Sequence, residues 1–90
     1  YWTAAAVRSR TAVYEHIEGD NPAAALAMDE LFRDSATRLL SHPQMGRPGR
    51  VPGTRELAVH PSYVLVYDIA GHALRILRLL HTSQRWPPTG

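Results

Sequence analysis

The chain contains no cysteine and no lysine. Without cysteine there is neither a disulfide framework nor a thiolate zinc site, which fits a reducing compartment. Without lysine, every side chain of fixed positive charge is one of ten arginines, planar forks suited to phosphate and carboxylate. Aromatic residues are few, 8% with a single phenylalanine. No apolar run approaches the roughly 18 residues of a membrane span and no signal-peptide pattern opens the chain, so a cytoplasmic location with no membrane partner is expected. The five histidines, His16, His42, His60, His72 and His81, show no HxxxH spacing, and no metal site is expected. Ser62 and Ser83 sit in no nucleophile elbow. The glycine-rich GRPGRVPG at 46–53 puts prolines where a phosphate loop needs N–H donors. No cofactor is expected.

What is present is a core. Ninety residues at 44% apolar support one domain spanning 1–90, with an N-terminal strand expected to be truncated because Tyr1-Trp2-Thr3 reads as a strand's tail. A chain of this size buries only roughly 60% of its unfolded surface, so a partner would add stability. Charge is divided unevenly: residues 1–40 hold four arginines and six acids, residues 41–90 six arginines and two acids. The back half is a cationic face, suited to a polyanion or an acidic partner protein.

Thr3 can cap a helix from Ala4, with Ala6, Val7, Val13, Tyr14 and Ile17 at helical spacings and Gly19 as a left-handed stop. Asn21 and Pro22 restart the chain as cap and first residue of a second helix, running to about Ser41. Its apolar stripe is Met28, Leu31, Phe32, Ser35, Ala36 and Leu39, and His42-Pro43 ends it. Two helices so closely joined form an αα-hairpin. Residues 42–53 read as loop. Leu57 and Val59 then alternate with Glu56 and His60, a half-buried strand. After a Pro61-Ser62 turn, residues 63–69 are apolar on both faces and belong mid-sheet; Ala70-Gly71 turns the chain into a last strand from His72 to about Leu80. The expected fold class is α+β: an N-terminal strand, an αα-hairpin and a three-stranded antiparallel meander, β-α-α-β-β-β, with both helices on one face of the sheet.

Strand parity puts Leu74, Ile76, Arg78 and Leu80 on one face of the last strand and Arg75, Leu77, Leu79 and His81 on the other. Neither face lacks arginine, so parity leaves open which one the helices cover. The strand ends in a polar cluster of His81, Gln84, Arg85 and Trp86, closed by Pro87 and Pro88. Acid–base cleavage of RNA would need a proton acceptor, a donor and a cation over the phosphate. Arg55, His60, Arg78, His81 and Arg85 are the residues that could supply them.

Order and residues together resemble a known family. The run includes Trp2-Thr3, Tyr14-Glu15-His16-Ile17, Asp20-Asn21-Pro22-Ala23-Ala24, Leu39-Leu40-Ser41-His42-Pro43 and Met45-Gly46-Arg47-Pro48. It continues with Gly53-Thr54-Arg55-Glu56-Leu57, Tyr63-Val64-Leu65-Val66-Tyr67 and Ile76-Leu77-Arg78-Leu79-Leu80-His81 through Arg85-Trp86-Pro87. Over essentially its whole length the chain resembles the ParE branch of the RelE/ParE superfamily, toxins of bacterial type II toxin–antitoxin modules associated with plasmid stabilisation. The resemblance implies a toxin neutralised by a small antitoxin whose acidic C-terminal segment wraps it. Freed ParE-like toxins inhibit DNA gyrase and so replication and growth. RelE-like relatives cut mRNA on the ribosome with basic residues and an acid–base pair on the sheet. That set is lysine-rich with a late tyrosine, whereas this chain has no lysine and no tyrosine after Tyr67, which favours the gyrase reading and a non-enzyme. The alternatives are a ribosome-dependent endoribonuclease and a non-toxic, antitoxin-binding remnant. For target or antitoxin binding the expected residues are Arg47, Arg50, Arg55, Tyr63, Arg75, Arg78, His81, Arg85 and Trp86.

Overall fold

The computed structural model describes residues 1–87; Pro88 of the expected closing pair lies outside the described residues. The elements in order are α1 (Ala4–Glu18), α2 (Pro22–Ser41), β1 (Arg47–Pro48), β2 (Arg55–His60), β3 (Tyr63–Ala70) and β4 (Ala73–His81). Both helix starts follow from local chemistry: Thr3 and Asn21, in extended conformation, accept from the backbone N–H of Ala6 and Ala24, and Pro22 occupies the first turn. Gly19 does not adopt the left-handed conformation expected of it. Its φ is −55°, and the chain leaves α1 by a tight turn in which Asp20 and Asn21 both donate to the carbonyl of Ile17.

The sheet is antiparallel in the order β1-β2-β3-β4. Its fourth strand is not the N-terminal one. Arg47 and Pro48, expected in loop, pair with Glu56 and Arg55 as a two-residue edge strand. The N-terminal segment is reduced to a single parallel bridge, Trp2 to Ile76, on the outer side of β4. The β3–β4 turn is one residue later than expected: Ala70 pairs with Ala73, and Gly71 takes the φ of +61° that the turn requires.

One core lies between the helices and one face of the sheet. Ala6, Phe32 and Leu39 from the helices meet Tyr63, Leu65, Tyr67, Leu74, Ile76 and Leu79. Phe32 stands edge-on to Tyr63 at 5.4 Å, a favourable aromatic arrangement. Ala6 is fully buried, its small side chain matching the close approach of α1 to β4. Of the expected α2 stripe, Phe32, Ser35 and Leu39 are buried, while Met28, Leu31 and Ala36 are only half-buried. Arg10 ties the hairpin to the sheet, holding Asp29 of α2 through two hydrogen bonds of 2.6 and 2.9 Å and lying 4.7 Å over the Trp2 ring. Among the described residues, no helix is long and apolar enough to cross a membrane.

β4 does not keep a single parity. Tyr67 pairs with Ile76 and Val66 with Arg78, so Leu77 has no partner and forms a bulge. Before it Leu74 and Ile76 face the helices; after it Leu79 and His81 do. The extra residue re-phases the strand and places Arg75 and Arg78 together on the face away from the helices. That answers the question simple alternation left open: the helix-covered face of β4 carries no arginine.

Candidate functional site: the open face of the sheet

The face away from the helices is built from alternate residues of three strands: Glu56 and Ala58 of β2, Val64, Val66 and Asp68 of β3, and Arg75, Arg78 and Leu80 of β4. Val64, Val66 and Leu80 are buried although they stand outside the main core. Polar groups flank this apolar strip on both sides.

On the β1 side, Glu56 is 2% exposed, where strand alternation placed a solvated polar residue. It is buried because the 46–53 loop folds over it. The Arg50 backbone N–H donates to it at 2.8 Å, the Arg50 guanidinium adds bonds of 3.0 and 3.2 Å, and Arg47 lies at 3.6 Å. Burial pushes the Glu56 carboxyl up, but the Arg50 bonds and the two positive charges outweigh it, and the carboxyl ends below its usual range. On the β4 side, Asp68 and Arg75 are paired neighbours linked at 2.6 and 2.8 Å. The Asp68 hydrogen bond, reinforced by its charge, raises the Arg75 guanidinium further above its usual value. Counting outward from the Gly71-His72 turn would have matched 68 with 75; placing the turn one residue early hid the pair.

Arg78 is different. Its printed partners are the neighbouring Leu77 carbonyl, at 2.8 Å, and the face of Trp86, whose ring centre lies 5.5 Å from the guanidinium carbon. The tail after β4 therefore folds back and sets an indole beside the open face. Arg85 is exposed in that tail.

The remaining expected residues are elsewhere. Arg55 lies on the helix-covered face opposite Tyr67 and does not join Arg78; it donates to the Gly46 carbonyl at 2.7 Å and to Gln44 at 3.2 Å. Tyr63 is buried in the core. His81 pairs with Tyr63, on the face opposite Arg78, so the expected terminal cluster is divided between two sides of the sheet. Its ring meets Tyr63 edge-on at 5.4 Å, its Nδ1 accepts from the Ser83 N–H, and its own N–H is capped by Gln84. It lines a groove of about 340 Å³ with Ser9, Val13 and His16 of α1. His60 Nδ1 accepts from the Ser62 N–H across the adjacent turn. Among the described residues no three His, Asp or Glu side chains stand together as a metal set.

A family model described as "ParE toxin of type II toxin-antitoxin system, parDE" matches residues 1–86. The chain is 34% identical over 87 residues to the toxin candidate Y4kP of Sinorhizobium fredii, covering 96% of this chain and 90% of that one. It is 32% identical over 83 residues to toxin RelE2 of Caulobacter vibrioides, covering 92% and 93%. A solved structure titled "Chromosomal ParDE TA system from P. aeruginosa" superposes with a TM-score of 0.80 at 26% identity, covering 89% of this chain and 90% of that chain.

Proposed function

The chain belongs to the ParE toxin family of type II toxin–antitoxin systems, and on that footing we propose that it arrests growth by binding DNA gyrase rather than by cutting RNA. A cognate antitoxin in the cytoplasm holds it inactive, in keeping with the ParDE system that its fold resembles. The observation that carries the binding reading is how the open-face cations are used. A phosphate-cleaving surface needs guanidiniums available to the scissile group and an acid–base pair beside them. Here Arg50 is committed to Glu56 and Arg75 to Asp68. The two histidines offered for proton transfer turn their Nδ1 atoms to local turn N–H groups, and His81 stands across the sheet from Arg78.

Purified toxin added in molar excess to a gyrase supercoiling reaction is expected to block supercoiling and accumulate cleaved DNA, and antitoxin is expected to restore activity. Normal supercoiling at saturating toxin would refute the proposal. The second reading, ribosome-dependent mRNA cleavage, draws on the relative named RelE2. It requires codon-phased cuts in translated message that disappear in His81→Ala. Growth that continues after expression without antitoxin would instead mark a non-toxic remnant.

A further inference from the structure

Among the described residues, two buried side-chain polar atoms have no hydrogen-bond partner: Ser35 Oγ, inside the helix core, and Trp86 Nε1. The second stands beside another exception. Arg47 and Arg50 meet Glu56, and Arg75 meets Asp68, but Arg78, on the same face, has no carboxylate within ion-pair distance among the described residues and stacks on the Trp86 ring instead. An indole N–H without an acceptor and a guanidinium without an anion thus share one place. Buried donors left unmade are costly and rare.

We infer that Arg78 and Trp86 form a recognition pair for a carboxylate carried on an alternating apolar and acidic peptide segment of a partner protein. One carboxylate has lone pairs enough to take the guanidinium and the indole N–H together; the indole turns outward to meet it. The surroundings select a peptide over a nucleic acid. The flanking surface is apolar, Val66 opposite Arg78 and Leu80 two residues on, and the other charges of this face include Glu56 and Asp68. A continuous polyanion would run its phosphates across those carboxylates, whereas a segment with single acids between apolar side chains would meet Arg78 and the strip at once. The inference rests on the reading of this face as one that grips a partner, and it holds whichever target the toxin has.

The test is a titration of the full ¹⁵N-labelled chain, following the Trp86 indole N–H resonance, assigned by its loss in Trp86→Phe. The probe is a capped Leu-Glu-Leu-Glu-Leu-Glu peptide, run beside its Leu-Gln counterpart and hexauridylate. The glutamate peptide is expected to move the Trp86 signal downfield, saturably, and Arg78→Gln to weaken binding by about tenfold or more, as loss of a charge-assisted contact should. Arg33→Gln removes the same charge from an exposed site on α2 and is expected to leave the affinity unchanged within about twofold. The inference is overturned if the glutamine peptide shifts the signal equally, if hexauridylate binds and the glutamate peptide does not, or if Arg78→Gln binds as tightly as the wild type. Because the readout is peptide binding, a failed supercoiling assay leaves this result untouched.

Discussion

Tyr67 shows how much one hydroxyl can organise. The side chain is fully buried; its hydroxyl donates to the Pro43 carbonyl at 2.7 Å and accepts from the Gly46 N–H at 3.0 Å. It thereby fixes the chain between α2 and β1, and Gly46 sits so close that a Cβ there would fall 2.7 Å from the hydroxyl. Arg55 closes the same segment from the other side through the Gly46 carbonyl. Tyr67→Phe keeps the ring but leaves a buried N–H and a carbonyl unpaired, and is expected to cost about 1–3 kcal/mol in urea unfolding. An unchanged midpoint would mean that water replaces the hydroxyl without loss. The Glu56 clasp is a comparable device on the opposite face, a buried carboxylate around which the 46–53 loop is wrapped.

At the scale of elements, the Leu77 bulge determines what each face of β4 presents. Alternation alone spreads the two arginines over both faces; the inserted residue collects them on one. Removing the bulged residue would restore a regular ladder while leaving Ile76 opposite Tyr67 and Arg78 opposite Val66. Deleting Leu77 is therefore expected to give a protein that still unfolds cooperatively, with thermal melting followed by circular dichroism as the measurement. Loss of the cooperative transition would show that the Leu77 carbonyl, which accepts from Thr3 and Arg78, matters more than the pairing does. The short β1 has its own logic: Pro48 lacks a donor for a ladder, and the edge strand stops there.

For the molecule as a whole, two ion pairs tie parts that the sequence separates. Arg10–Asp29 joins the helices, and Arg50–Glu56 joins loop to sheet. The Arg10 hydrogen bond, aided by the charges of Arg10 and Arg33 and opposed by burial, leaves Asp29 below its usual range, and Glu56 is lowered likewise. A carboxyl whose folded pKa is depressed binds fewer protons folded than unfolded, so its stabilisation is present above its unfolded pKa and is lost as pH falls through the folded value. The urea midpoint is therefore expected to fall between pH 7 and pH 3, and to fall less in an Asp29→Asn, Glu56→Gln double variant. Equal losses in the two proteins would remove these pairs as the source of acid sensitivity.

The elements and the family were legible in the residues because they rest on short-range rules. Caps at Thr3 and Asn21, proline at the first turn of α2, a doubly apolar central strand and a cationic second half each act within a few neighbours along the chain. Three features were not legible. β1 is a strand only because Glu56 and Arg55 lie beside Arg47 and Pro48; nothing in a proline- and glycine-rich run announces it. The bulge has no local sequence mark, since Leu77 is one aliphatic among several, yet it decides that Arg75 and Arg78 share a face and that His81 does not join them. The partners of the arginines, Glu56 and Asp68 for some and the Trp86 ring for Arg78, depend on which side chains the sheet sets next to one another. The sequence by itself therefore determined that this is a small arginine-rich toxin-family domain, whereas only the tertiary structure decided which of its cations are already spoken for. Periodicity and capping are encoded residue by residue, but charge pairing across a sheet is a property of register.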